Sequence, residues 1–146
     1  MHPYPHHYKV RAGATADGEV RLGGEGLPDL QSMPPPEFDG PGGYWSPETL
    51  LVAAVADCFT LSFRSIAKAS RLEWTELTAE VNGVLERSDG VARFTCFDTH
   101  AQLVVPAGTD PARARSLLEK AEKICLISNS LSAERHLTFE VIEEEP

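Results

Sequence analysis

Three cysteines, Cys58, Cys96 and Cys125, are the residues of this chain best able to do covalent chemistry, and they are widely spaced. A thiolate is a strong nucleophile that can be oxidised reversibly, but in an apolar surround it forms only where a nearby positive charge stabilises it. Taken singly, a buried cysteine is by default a small hydrophobe. An odd number of cysteines at these separations is not the framework of a disulfide-stapled secreted domain, and it points to reduced thiols, catalytic or inert. Joining Cys58, Cys125 and a histidine such as His100 or His136 into a metal centre finds no support in a close Cys-x-x-Cys pair, so no metal is expected. His2, His6 and His7 could chelate a metal adventitiously, but they sit where a chain end normally frays.

The elements that must position these thiols can be read from pattern. Ser46 to Ala69 reads as one long helix with Cys58 near its middle. Ser46 is a capping residue, Pro47 suits the first helical position, and Glu48 places negative charge in the first turn. Apolar residues lie on nearly every side from Leu50 to Leu61, which predicts a buried helix rather than an amphipathic one. Ahead of it, Tyr8 to Thr15 and Glu19 to Leu22 read as a hairpin across Ala16-Asp17-Gly18, and a short strand is expected near Leu30. Gly23 to Gly43 is otherwise rich in glycine and proline and reads as a surface loop.

After the helix, Leu72 to Glu86 alternates as a half-buried strand, with Leu77, Ala79, Val81 and Leu85 on one face. A turn at Glu86 to Gly90 leads into an antiparallel partner, Arg93 to Val105. That strand should show Phe97, Ala101, Leu103 and Val105 on one face and Phe94, Cys96 and His100 on the other. Asp110-Pro111 repeats the cap-then-proline signature, and Ala114, Leu117, Leu118, Ala121 and Ile124 follow at helical spacing, with Cys125 at the end. Leu137 to Ile142 alternates as a last strand. The order βββ-α-ββ-α-β describes an α+β fold.

Composition sets the outer bounds. A chain of 146 residues fits one domain, residues 1–146, and buries roughly two-thirds of its unfolded surface without disulfides. Thirteen basic against 22 acidic residues give a net charge of −9, which argues against a nucleic-acid partner held through phosphates. Asp57 interrupts the best apolar run before it reaches the ~18 residues of a membrane span, so no membrane partner is expected. The start MHPYPHHYKVR lacks the layout of a signal peptide, and a cytoplasmic location is expected.

The segments SPETLLVAAVADCF and EKAEKICLISNSL, with the element order between them, resemble the OsmC/Ohr family of thiol peroxidases over nearly the whole chain. The matching positions are Glu48, Cys58, Cys125, Ser128 and Asn129. The resemblance implies an antiparallel-sheet fold around a long central helix, an intertwined homodimer, and no cofactor. It implies that Cys58 is the peroxidatic thiolate, that Cys125 is the resolving thiol, and that Glu48 belongs to the acidic partner of a catalytic arginine. It also implies an organic hydroperoxide as substrate, with hydrogen peroxide used less well, and a small dithiol or a lipoylated protein as reductant. The family places the arginine in the N-terminal strands, where Arg21 is favoured and Arg11 is the alternative. Arg64 lies six residues beyond Cys58, about 9 Å along the helix.

Two departures from the family pattern stand out. Asp57 puts a carboxylate beside Cys58, where a small residue is usual, and Leu126 replaces a proline. A divergent branch is therefore expected, and the alternative function is an OsmC-like protein without peroxidase activity that binds an apolar ligand or senses redox state. Helix geometry adds an independent expectation. Glu48 and Cys58 are ten residues apart, about 15 Å along the axis, so one helix cannot bring them to one site. A second, antiparallel copy of the helix can, giving two sites in a twofold dimer.

Overall fold

Ser46 opens the long helix by a reciprocal cap. Its hydroxyl accepts from the Thr49 N–H at 3.1 Å, and its own N–H donates to the Thr49 hydroxyl at 2.8 Å, so two otherwise orphaned donors are satisfied. The computed structural model describes residues 1–146, and the chain divides into two compact units, Met1–Leu50 and Leu51–Pro146. The elements run β1 (Arg11–Gly13), β2 (Val20–Gly23), β3 (Leu30–Ser32), α1 (Pro47–Ser70), β4 (Glu76–Ser88), β5 (Val91–Val105), α2 (Pro111–Ile124), α3 (Leu126–Asn129) and β6 (Glu134–Glu143). This is the expected α+β order with one extra turn of helix, α3.

In the first unit, β1, β2 and β3 form an antiparallel meander. The first strand is shorter than the expected Tyr8 to Thr15, because its partner β2 is only four residues long and gives it nothing more to pair with. A single 3-10 turn at Pro36–Phe38 folds the proline-rich loop back on itself, with the Phe38 and Gly40 N–H groups both donating to the Pro35 carbonyl. A Cβ on Gly40 would sit 1.6 Å from the Pro34 carbonyl oxygen, a collision with backbone that no side-chain movement relieves. Gly40→Ala is therefore expected to lower the thermal midpoint by several degrees, as read by circular dichroism; an unchanged midpoint would show that the loop can rearrange freely.

In the second unit, β4 and β5 are a long hairpin closed by Asp89-Gly90. Both residues have positive φ, 52° and 76°, which is the backbone a two-residue hairpin turn demands. The strands run on to this tight turn, so β4 extends to Ser88 rather than stopping at Glu86. It also starts late, at Glu76, because α1 ends in a left-handed residue, Arg71, followed by four residues, Leu72 to Thr75, outside the strand. Strand β6 lies beside β5 and parallel to it, which requires the crossover through α2. Asp110 caps α2, its carboxylate accepting from the Ala112 N–H at 3.0 Å.

The inner face of this sheet carries Ala101, Leu103 and Val105. With α1 residues Phe59, Phe63, Ile66 and Ala67 and α2 residues Ala114, Leu117, Leu118 and Ala121, they make one core. Phe94 breaks the expected alternation. The ladder shifts register between Val84 and Leu85, leaving Thr95 as the extra residue of a bulge, so Phe94 turns to the inner face and stacks on Phe97 at 5.1 Å. Ile124 also departs from its helix stripe and is 46% exposed.

The largest correction concerns α1. Its buried positions are Val55, Phe59, Phe63, Ile66 and Ala67, a single stripe, and Leu61 is 49% exposed. The sheet covers one side of a helix that is apolar on several. By length and a mean hydropathy of 1.6 over 18 residues this helix could cross a bilayer, but its buried stripe packs on strands and on α2 of its own chain, as a core helix does.

Candidate active site

Helix α1 presents Cys58 half-buried on its length, with the sulfur 4.0 Å from the Ser62 hydroxyl one turn on. The i to i+4 relation places both on one face. Asp57 is exposed, about 100° around the helix from Cys58, so its carboxylate does not share the sulfur's setting.

Cys125 is fully buried at the joint where α2 ends and α3 begins. Its backbone is extended, which breaks the helix there and aims the side chain inward. The thiol donates to the Ser128 hydroxyl at 3.4 Å. Burial pushes the Cys125 thiol above its ordinary range, the Ser128 hydroxyl and N–H partly offset this, and the neighbouring Cys58 thiol raises it further by hydrogen bonding and charge. The fold thus brings together two cysteines that are remote in sequence, and both are free thiols.

An arginine that sequence reasoning did not single out fixes this joint. Arg135, at the start of β6, donates through Nε to Glu122 Oε1 at 2.8 Å, through Nη1 to Asn129 Oδ1 at 2.7 Å, and through Nη2 to the Glu122 carbonyl. Asn129 in turn donates to the Lys123 carbonyl at 3.1 Å. One planar guanidinium therefore ties the end of α2, α3 and β6 around Cys125. The match at Asn129 is the one signal in the sequence, since the last carbonyls of a helix need partners from outside it.

Glu48 lies half-buried in the first turn of α1, and helix geometry keeps it about 15 Å from Cys58 along the axis. Arg21 lies on β2, exposed. The register pairs Gly13 with Arg21 and Gly23 with Arg11, so the two arginines are diagonal neighbours on one face of the first sheet. Both line a cleft of about 570 Å³ with Asp17, Glu19 and Asp29. Neither Arg11, Arg21, Arg64 nor Glu48 forms an ion pair; those of the chain lie between Arg135 and Glu122 and among the sheet histidines and acids. Arg64 is exposed on α1.

Cys96 lies on the outer face of β5 and has different surroundings. Desolvation, the Asp98 hydrogen bond and the charges of Asp98, Glu134 and Glu86 all push its thiol up. Cys96 sits on the sheet among Asp98, Glu134 and Glu86, apart from Cys58 on α1 and Cys125 at the α2–α3 joint.

A long helix carrying one thiol, a second thiol at a helix joint, and two three-stranded sheets define an α+β protein of the OsmC/Ohr type. The family model for OsmC-like proteins matches residues 40–140, and the chain belongs to that family. It is 29% identical over 109 residues to the uncharacterised protein YmaD of Bacillus subtilis (strain 168), covering 73% of each chain. It is also 29% identical over 128 residues to an organic hydroperoxide resistance protein of Xanthomonas axonopodis pv. citri (strain 306), covering 84% of this chain and 86% of that one. The solved OsmC-like protein of unknown function from Vibrio cholerae superposes with a TM-score of 0.85 at 19% identity, over 93% of this chain and all of the other.

Proposed function

We propose that this protein is a dithiol-dependent peroxidase that reduces organic hydroperoxides, and hydrogen peroxide less well, as a cytoplasmic homodimer. What supports the reading is that half-buried Cys58 on α1 lies near enough to buried Cys125 to raise its thiol. The Cys58 thiolate attacks the outer peroxide oxygen; an S–O bond forms, the O–O bond breaks, and the alcohol leaves after taking a proton. Cys125 then attacks the Cys58 sulfenic acid, forming the disulfide and expelling water. An external dithiol, a small molecule or a lipoyl group, reopens the bridge by exchange and leaves as its own cyclic disulfide. Burial of Cys125 suits it to capture Cys58 internally and not to meet peroxide itself. The name of the Xanthomonas relative supports the substrate class.

Val55 and Phe59 are committed to the core, so the apolar groups of α1 left to meet an organic peroxide are residues such as Leu51 and Leu61. The uncovered apolar sides of α1 support a second copy of the chain as their cover, with Glu48 of one helix completing the site built on Cys58 of the other. In this arrangement Arg21, unpaired within its own chain, stabilises the thiolate and is held by Glu48. Light scattering is expected to give twice the 15.9 kDa chain mass.

Turnover of cumene hydroperoxide and of hydrogen peroxide with dihydrolipoamide tests the reading. The organic peroxide is expected to be the better substrate, and Arg21→Ala is expected to lower kcat/KM on the order of a hundredfold. A silent Arg21→Ala beside a crippled Arg11→Ala would move the role one strand over. No turnover of either peroxide by the wild-type protein would remove the peroxidase.

A further inference from the structure

We propose that Cys96, Asp98 and His136 form a three-donor site for a divalent transition-metal ion of the zinc type, on the face of the β4–β5–β6 sheet that points away from the core. Cys96 and Asp98 are two apart on β5 and so share a face, and the parallel register sets His136 of β6 directly beside Asp98. The neighbouring positions Phe97 and Thr99 point inward and are buried, which fixes the three donors outward.

The donor atoms converge. Cys96 Sγ is 3.4 Å from Asp98 Oδ1 and 3.4 Å from His136 Nδ1, and that nitrogen is 2.7 Å from Oδ1. Bond lengths to tetrahedral zinc imply edges of about 3.6 Å for sulfur to nitrogen or oxygen and about 3.4 Å for nitrogen to oxygen. The sulfur edges are already within a few tenths of an ångström of that triangle. The third edge opens when the hydrogen bond between His136 and Asp98 gives way to metal.

The donor chemistry selects the ion. One sulfur, one imidazole nitrogen and one carboxylate oxygen are a poor set for magnesium or calcium, which take oxygen ligands, and a good one for zinc and its neighbours. Ligation through Nδ1 leaves the His136 proton on Nε2, and Glu134 Oε2 lies 3.8 Å from that atom, a small side-chain rotation short of a hydrogen bond to it. A carboxylate behind a ligating imidazole is the usual way of fixing its tautomer and orientation. The side chains of His136 and Asp98 are 55% and 49% exposed, so an ion has an open path in and a fourth position for water or a ligand. The site would clamp β5 to β6, and it shares no residue with the Cys58–Cys125 pair.

Cobalt(II) is the probe, added anaerobically to reduced full-length protein in which His2, His6 and His7 are alanine, so that the N-terminus cannot chelate it. One cobalt per chain with a sulfur-to-cobalt charge-transfer band is expected, displaced by one equivalent of zinc. The band should vanish in Cys96→Ser and His136→Ala, persist in Cys58→Ser/Cys125→Ser, and need about tenfold more metal in Glu134→Gln. Zinc should also raise the Tm of the parent and not of Cys96→Ser. Far-ultraviolet circular dichroism of the metal-free variants checks that each is folded. No sulfur-to-cobalt band, a band that survives Cys96→Ser, or one that disappears with Cys58→Ser/Cys125→Ser overturns the proposal.

Discussion

Replacing Cys58 by serine is expected to reduce hydroperoxide turnover to the uncatalysed rate, a loss on the order of 10⁴-fold or more, with the fold intact. Serine keeps the shape and the small helix contact with Ser62, but its oxygen cannot cycle between thiolate and sulfenic acid. Cys125→Ser separates the two thiols by their kinetics. Cys58 still reacts once with peroxide, so a single-turnover burst survives, while multiple turnover with a dithiol falls away and excess peroxide drives Cys58 on to the sulfinic acid. Stopped-flow measurement of one equivalent of peroxide, followed by steady-state turnover, reads both steps. Equal loss of burst and steady state in the two variants would contradict the assignment of attacking and resolving roles.

The largest expected effect on stability belongs to Phe63. It is fully buried on the covered stripe of α1 and meets Trp74 edge to face at 5.5 Å, in the same cluster as Leu103 and Leu118. Removing the ring leaves a cavity that close-packed strands and α2 cannot fill, so Phe63→Ala should cost about 3–5 kcal/mol in urea unfolding. Leu61→Ala, two residues earlier on an uncovered side, should cost far less within one chain, but it should weaken dimer association if a second chain covers that side. A Phe63→Ala cost below about 1 kcal/mol would mean that the core does not close around this helix as described.

Much of this organisation is legible in the residues themselves. Ser46-Pro47-Glu48 and Asp110-Pro111 mark helix starts because capping is local chemistry, satisfied by side chains one turn away. Asp89-Gly90 marks the hairpin because few residues accept positive φ. What escapes is whatever depends on a partner distant in sequence. Alternation from Leu137 to Ile142 reveals a strand but neither its start at Glu134 nor its direction, and only the crossover through α2 makes it parallel to β5. The bulge that turns Phe94 inward is a property of the β4–β5 pairing and leaves no mark on β5 alone. The extent to which α1 is covered depends on how wide the sheet beneath it is, which apolar content does not report. At the site, the Cys58 and Cys125 motifs are readable while their meeting is not, and Arg135 and the Cys96–Asp98–His136 cluster appear only once β5 and β6 lie side by side.

The proposed roles of Cys58 and Cys125 as attacking and resolving thiols can be read from the intact mass of the reduced protein before and after one equivalent of cumene hydroperoxide. Loss of two hydrogens per chain is expected, with the bridge mapped between Cys58 and Cys125. Cys58→Ser should show no change, and Cys125→Ser should gain one oxygen. An unchanged wild-type mass with both thiols still free would contradict these roles.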